Sequence, residues 1–130
     1  MTNVLHHPRI GYHLLRLSVA AMMLLHGIAK LMNGIDGIER MVVGKGLPAF
    51  VAYGVFIGEV LAPLLVLAGV WVGPAALLMA VNMVFAIGLA HTHEVLTLGK
   101  QGGWAIELQG LFFVSSLAIA LMAPPFGRKG

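Results

Sequence analysis

Residues 48–90 read PAFVAYGVFIGEVLAPLLVLAGVWVGPAALLMAVNMVFAIGLA: two long apolar runs, joined by Gly69-Val70-Trp71-Val72-Gly73 and interrupted by one charged side chain, Glu59. Each run, about 48–70 and about 73–90, is near the ~20 residues that carry a helix across a hydrocarbon core. In lipid the backbone polar groups of such a segment have no water to bond, so a helix, which satisfies them internally, is the expected form. The short connection forces a tight hairpin and makes the two helices antiparallel neighbours. Pro74 falls in the first turn of the second run, where a missing N–H costs little.

Working outward, a further apolar run covers about 12–29, between Pro8 and Lys30, and another covers about 104–123, from Trp104 to the stop at Pro124-Pro125. The expected fold is all-α: one domain over 1–130, built as a four-transmembrane-helix antiparallel bundle. Both termini then lie on one side and loops one and three on the other. Loop one, residues 30–47, sets Asp36, Glu39, Arg40 and Lys45 among Ile35, Ile38, Met41, Val42 and Val43. That mixture predicts a short interfacial helix lying on the membrane surface. Loop three holds His91, His93, Glu94 and Lys100. Gly54 and Gly58 make a GxxxG pair that permits close helix approach, within the bundle or between protomers of a homo-oligomer.

Composition agrees. Hydrophobic residues are 59% and charged residues 10% of the 130, against about 45–50% and about 25% in soluble domains. The net charge of +3 comes from thinly spread Lys and Arg beside apolar runs, which fits headgroup-level anchoring and argues against nucleic acid as a partner. The basic residues divide evenly, with Arg9, Arg16, Arg128 and Lys129 on the termini side and Lys30, Arg40, Lys45 and Lys100 on the other. Arg9 and Arg16 precede or open the first helix, which points to cytoplasmic termini. Arg16 is read as a snorkelling residue, and Trp71 and Trp104 as interfacial belt residues. With no cysteine, thiolate metal sites, iron–sulfur clusters and dithiol redox chemistry are excluded, and no metal site is expected. The N-terminal stretch lacks a signal-type cleavage site, so the first apolar run is expected to remain as a helix.

Ionisable groups inside a bilayer are costly, about 2.5–3.5 kcal/mol each at a helix centre on the insertion scale. Those present are therefore the informative residues. Glu59 lies about 16 Å along its helix, at 1.5 Å per residue, and so near the midplane. Asn82 is at similar depth in the next span. His26, Lys30, His91 and Glu107 lie above them, toward the loop-one and loop-three face. His26 and Lys30, four apart, share a helix face. The reading is a polar pocket opening toward that face and floored by Glu59, with Glu59 and His26 as candidate catalytic groups and His26, Lys30, Glu59, Asn82, His91 and Glu107 as candidate ligand-binding groups. The plainer alternative makes Glu59 a neutral carboxyl hydrogen-bonded to a neighbouring helix, Lys30 a snorkelling residue and His91 and His93 interfacial. The methionines Met22, Met23, Met79 and Met83 read as packing.

Several of these residues, in this order, resemble the DoxX family of small membrane proteins: Arg16-Leu17, His26-Gly27-Ile28-Ala29-Lys30-Leu31, Gly46-Leu47-Pro48, Gly58-Glu59, Leu67-Ala68-Gly69, Ala90-His91 and Glu107. The resemblance runs from about Leu14 to Ala123. It implies a four-helix bundle in a bacterial inner membrane, linked to redox systems. Some relatives are membrane subunits associated with quinone-linked sulfur oxidation, and others are associated with assembly of membrane oxidoreductase complexes. The chain departs at Met122-Ala123-Pro124-Pro125-Phe126-Gly127, where relatives commonly show a Gly-Pro-Gly stop.

Four functions follow as expectations. The first is a partner-dependent, redox-associated subunit that takes an isoprenoid quinone, with His26 and Glu59 handling protons and Lys30 stabilising negative charge. No flavin or nucleotide motif is present, so electrons would come from a redox protein partner. The second is b-type haem held by a pair from His26, His91 and His93. The third is a small-solute or proton channel past Glu59, Asn82 and Glu107. The fourth is a scaffold that recruits a soluble partner through loops one and three.

Overall fold

The computed structural model describes residues 4–90, 98 and 106–124, and its elements are all helices. They are α1 (Pro8–Asn33), α2 (Asp36–Gly44), α3 (Ala49–Ala68), α4 (Val72–Ala90) and α5 (Glu107–Met122). Helices α1, α3 and α4 are long and apolar enough to cross a membrane; α5 is apolar but, at 16 residues, shorter. The expected start of that last helix at Trp104, together with His91, His93, Glu94 and Lys100, lies outside the described residues. The expected interfacial helix of loop one is α2.

Helix α1 packs on α3 and α5, α3 on α4, and α4 on α5. Between them lies a core of Val19, Ala20, Met23, Ala62, Val66, Ala75, Ala76, Met79, Phe112 and Ile119. Alanines recur where helices meet because, without a hydrophobic drive in lipid, close backbone approach and van der Waals contact have to hold the bundle together. The outward face carries Leu25, Leu64, Leu77, Val84, Leu111 and Val114, all exposed in the chain alone and suited to contact with lipid. Met23, Met79 and Met83 are core residues as expected, whereas Met22 is half-exposed.

Helix α3 is irregular, and its sequence says why. It opens as a 3₁₀ segment, Ala49–Tyr53, passes through one α turn and then makes a π turn, Ile57–Leu61, before resuming as α over Ala62–Ala68. Pro63 has no N–H, and in a regular helix its ring would strike the carbonyl of residue i−4, which is Glu59. Widening the preceding turn relieves that collision, and the Ala62 N–H accordingly bonds back five residues to the Ile57 carbonyl. A proline placed four residues after the intramembrane acid thus sets the acid on a π turn, a feature that recurs at functional sites.

The α3–α4 hairpin closes on Gly69 at φ +76°. Its backbone N–H bonds the Val66 carbonyl at 3.2 Å and that of Val70 bonds Leu65 at 3.0 Å, the two bonds of a Schellman cap. The expectation that Arg16 snorkels is corrected here. Arg16 is only 8% exposed, and its guanidinium donates to the carbonyls of Val66 and Leu67 while pairing with His13 Nδ1 at 3.1–3.3 Å. The cation occupies the carbonyl end of α3, where the helix dipole favours positive charge. Arg16→Met is expected to cost about 1–3 kcal/mol by leaving buried groups unbonded. Arg16→Lys should restore little, since an ammonium cannot reproduce the planar fork. Unfolding midpoints in detergent micelles measure both.

Helix α2 is flanked by Gly34 at φ +83° and Gly46 at φ +85°. It is held by its own small apolar cluster, Ile35, Val42 and Ala52 with Ile38, Val55, Phe56 and Leu89 around them, separate from the bundle core.

Candidate functional site

Glu59, on the π turn at the middle of α3, is the buried acid of the bundle, with its side chain 3% exposed. Both carboxylate oxygens are engaged. Lys30 Nζ of α1 donates to Oε1 at 2.5 Å and Asn82 Nδ2 of α4 donates to Oε2 at 2.7 Å. Three helices therefore converge on one carboxylate, and Lys30, 30% exposed, supplies its counter-charge. A buried pair of this kind stands only where its geometry offsets the loss of solvation, and removing one partner strands the other.

Two glycines make the convergence possible. A Cβ on Gly27 would run into the backbone carbonyl of Glu59, and one on Gly58 would run into the Asn82 side chain. Gly27 thus lets α1 reach the carbonyl that Pro63 denies a helical partner, and Gly58 lets Asn82 lie close enough to bond the acid. Within the chain, Gly58 of the Gly54–Gly58 pair sits at a close helix approach, while nothing lies within 4 Å of where a Gly54 Cβ would be. The contact at Gly27 was not legible from spacing. The signal for the π turn, Pro63 four residues after Glu59, was present in the sequence.

The polar trio lines a cavity of about 450 Å³. His26 and Lys30 contribute from α1, Gly58 and Glu59 from α3, Asn82 and Met83 from α4, Gln109 and Phe112 from α5, and Ile38, Met41 and Val42 of α2 close over it. The His26 ring stands edge-on to Phe112, centroids 5.6 Å apart. Of the residues picked from sequence, His26, Lys30, Glu59 and Asn82 are brought together. Glu107 is not: it is exposed on the first turn of α5, outside the lining. At 100° per residue Glu107 lies about 140° around the helix from Phe112, so α5 turns Leu108, Gln109 and Phe112 to the cavity instead. His91 lies outside the described residues, and Gln109 joins the lining without having been singled out. Among the described residues no cluster of three metal-ligating side chains forms.

Chemically the cavity is an apolar slot with one polar end. That end is a neutral ion pair with an amide, and it retains hydrogen-bond donors: the Lys30 ammonium has three and gives one to Glu59. A ligand suited to it is uncharged, carries acceptor oxygens at one end and is apolar elsewhere.

These features define a multi-pass helical membrane protein with an ion-paired intramembrane carboxylate. The chain belongs to the DoxX family of small integral membrane proteins, whose family model matches residues 11–92. That stretch runs from the first turn of α1 through α4 and contains the whole Lys30–Glu59–Asn82 arrangement. No curated protein and no solved structure matches the chain.

Proposed function

We propose that the cavity binds the headgroup of an isoprenoid quinone and that the protein is a redox-associated, partner-dependent subunit in a bacterial inner membrane. The observation that carries this reading is the Lys30–Glu59–Asn82 arrangement in a largely apolar cavity of about 450 Å³. That volume falls in the range of about 300–1,000 Å³ typical of small-molecule sites. A quinone head needs an apolar slot and donors for its carbonyl oxygens. Phe112 and Met83 offer the first, and Lys30 and His26 the second.

When bound, a quinone supplies two-electron, two-proton redox chemistry, its electrons delivered by a redox protein partner. Lys30 is placed to offset negative charge on the ligand oxygen it faces. His26 lines the same cavity above Glu59 and can pass protons from the loop-one face. Glu59 is placed to accept or return a proton as Lys30 shifts between it and the ligand. Of the three histidines suggested as haem ligands only His26 lies among the described residues, and its ring is packed against Phe112. Arg16 and Lys30, one from each side of the membrane, are both engaged inside the bundle. The basic balance between the faces stays level, and cytoplasmic termini remain our proposal from Arg9.

An oxidised-minus-reduced absorption spectrum of protein purified in mild detergent tests this reading. A quinone-type ultraviolet change is expected, lost in Glu59→Gln and His26→Ala variants that remain folded. A haem-type visible band would overturn the reading, as would a featureless spectrum that persists after reconstitution with quinone.

A further inference from the structure

The polar end of the cavity accounts for a ligand's head but leaves most of the lining unused. Gly54 and Gly58 are four residues apart on α3, and both line the cavity that α4 also lines. At Gly58 the helices touch, through Asn82; at Gly54 an added Cβ would meet nothing within 4 Å. Within about 5.4 Å along the axis the α3–α4 contact opens into a crevice. Its walls are Gly54, Val55, Phe85, Ala86 and Leu89, and Met41 and Val42 of α2 lie over it. No charged or hydrogen-bonding side chain is among these. Ile57, Val81 and Phe85 also line the cavity and are half-exposed in the chain alone.

We propose that this crevice is an apolar subsite for the prenyl chain of a quinone whose head sits at Lys30–Glu59–Asn82, and that Gly54 sets its width. The inference rests on the quinone reading and adds where the chain lies. The cavity holds the polar trio and this apolar crevice together, so an occupant of both has a polar head and a long apolar chain. The head must reach the level of Glu59, midway along α3. A phospholipid's charged headgroup is held at the interface by the cost of burial, whereas an uncharged ring is not. α2 covers the chain, its separate apolar cluster making it a roof independent of the bundle core.

Full-length protein in nanodiscs tests this with three probes: a dimethoxy-methyl-benzoquinone without a tail, the same ring with two isoprene units, and farnesol. Because a tail concentrates a ligand in the bilayer, affinities are expressed per mole fraction of lipid. Gly54 has helical φ of −58°, so Gly54→Leu fits the backbone and fills the crevice; Ala86→Met does so from the opposite wall. Each variant is expected to weaken binding of the tailed ring by about tenfold, a 1.4 kcal/mol loss of packing, and to leave the tailless ring unchanged. Farnesol is expected to compete with the tailed ring in wild type only. Equal loss for both rings, or no loss for either, would overturn the subsite and leave the quinone reading standing. If neither ring binds wild type while farnesol binds and Gly54→Leu abolishes that binding, the quinone reading fails and the apolar subsite stands. A phospholipid acyl chain that co-purifies and is not displaced by farnesol would overturn the proposed occupant.

Discussion

Lys30→Met is expected to destabilise the protein by about 3 kcal/mol, and adding Glu59→Gln to it is expected to recover most of that loss. The reason is the asymmetry of the pair. Glu59 is 3% exposed on a π turn at the middle of α3, so without Lys30 its carboxylate is left buried with no counter-charge. Lys30 is 30% exposed near the end of α1 and carries a flexible stem that can extend toward the headgroups. Glu59→Gln alone therefore costs less, about 1 kcal/mol for the weakened bonds to Lys30 and Asn82. The estimate for Lys30→Met takes the low end of the range for breaking buried pairs because the lysine keeps some solvent. Reversible unfolding in mixed micelles of the two single variants and the double variant gives the full cycle. Additive losses in the double variant would mean that the side chains are not coupled.

The second large effect concerns the glycines, which are expected to fall in a fixed order. Gly27→Ala should be the most damaging, at about 3 kcal/mol, because the added carbon meets the Glu59 backbone and helix α1 has to move away. Gly58→Ala should cost about 2 kcal/mol, since the nearest obstruction is the Asn82 Cβ, which no side-chain rotation moves, so α3 and α4 have to part and the Asn82 bond to Glu59 is strained. Gly54→Ala meets nothing and gains helix propensity, so it should be neutral or stabilising by up to ~1 kcal/mol. Midpoint shifts for the three variants in one detergent decide the matter. If Gly54→Ala proved as harmful as Gly27→Ala, the packing described around Glu59 would be wrong.

Much of the fold could be read from the chain because the bilayer imposes a length and a composition that few other architectures share. The apolar runs fall within a few residues of α1, α3 and α4, and the mixed pattern between Ile35 and Lys45 marked α2. The convergence of His26, Lys30, Glu59 and Asn82 was legible for a related reason: polar groups at matched depth in neighbouring spans have only each other to bond. What stayed hidden depends on partners distant in sequence. Arg16 looks like any juxtamembrane cation until the carbonyls of Val66 and Leu67, fifty residues on, are placed beside it. Gly27 carries no mark of the carbonyl it accommodates. Glu107 looked like a pocket residue by depth, but depth does not fix rotation, and one residue's step turns a side chain through 100°.

The most direct test of the central claim is where a bound quinone touches the chain. Photolysis of an azido-quinone in proteoliposomes, followed by mass spectrometry of peptides, reports those contacts. The label is expected on the peptides that carry Lys30, Met83 and Phe112, and unmodified quinone is expected to compete it away. Labelling confined to the outer faces around Leu25, Leu64 or Leu111, or labelling insensitive to competitor, would contradict it.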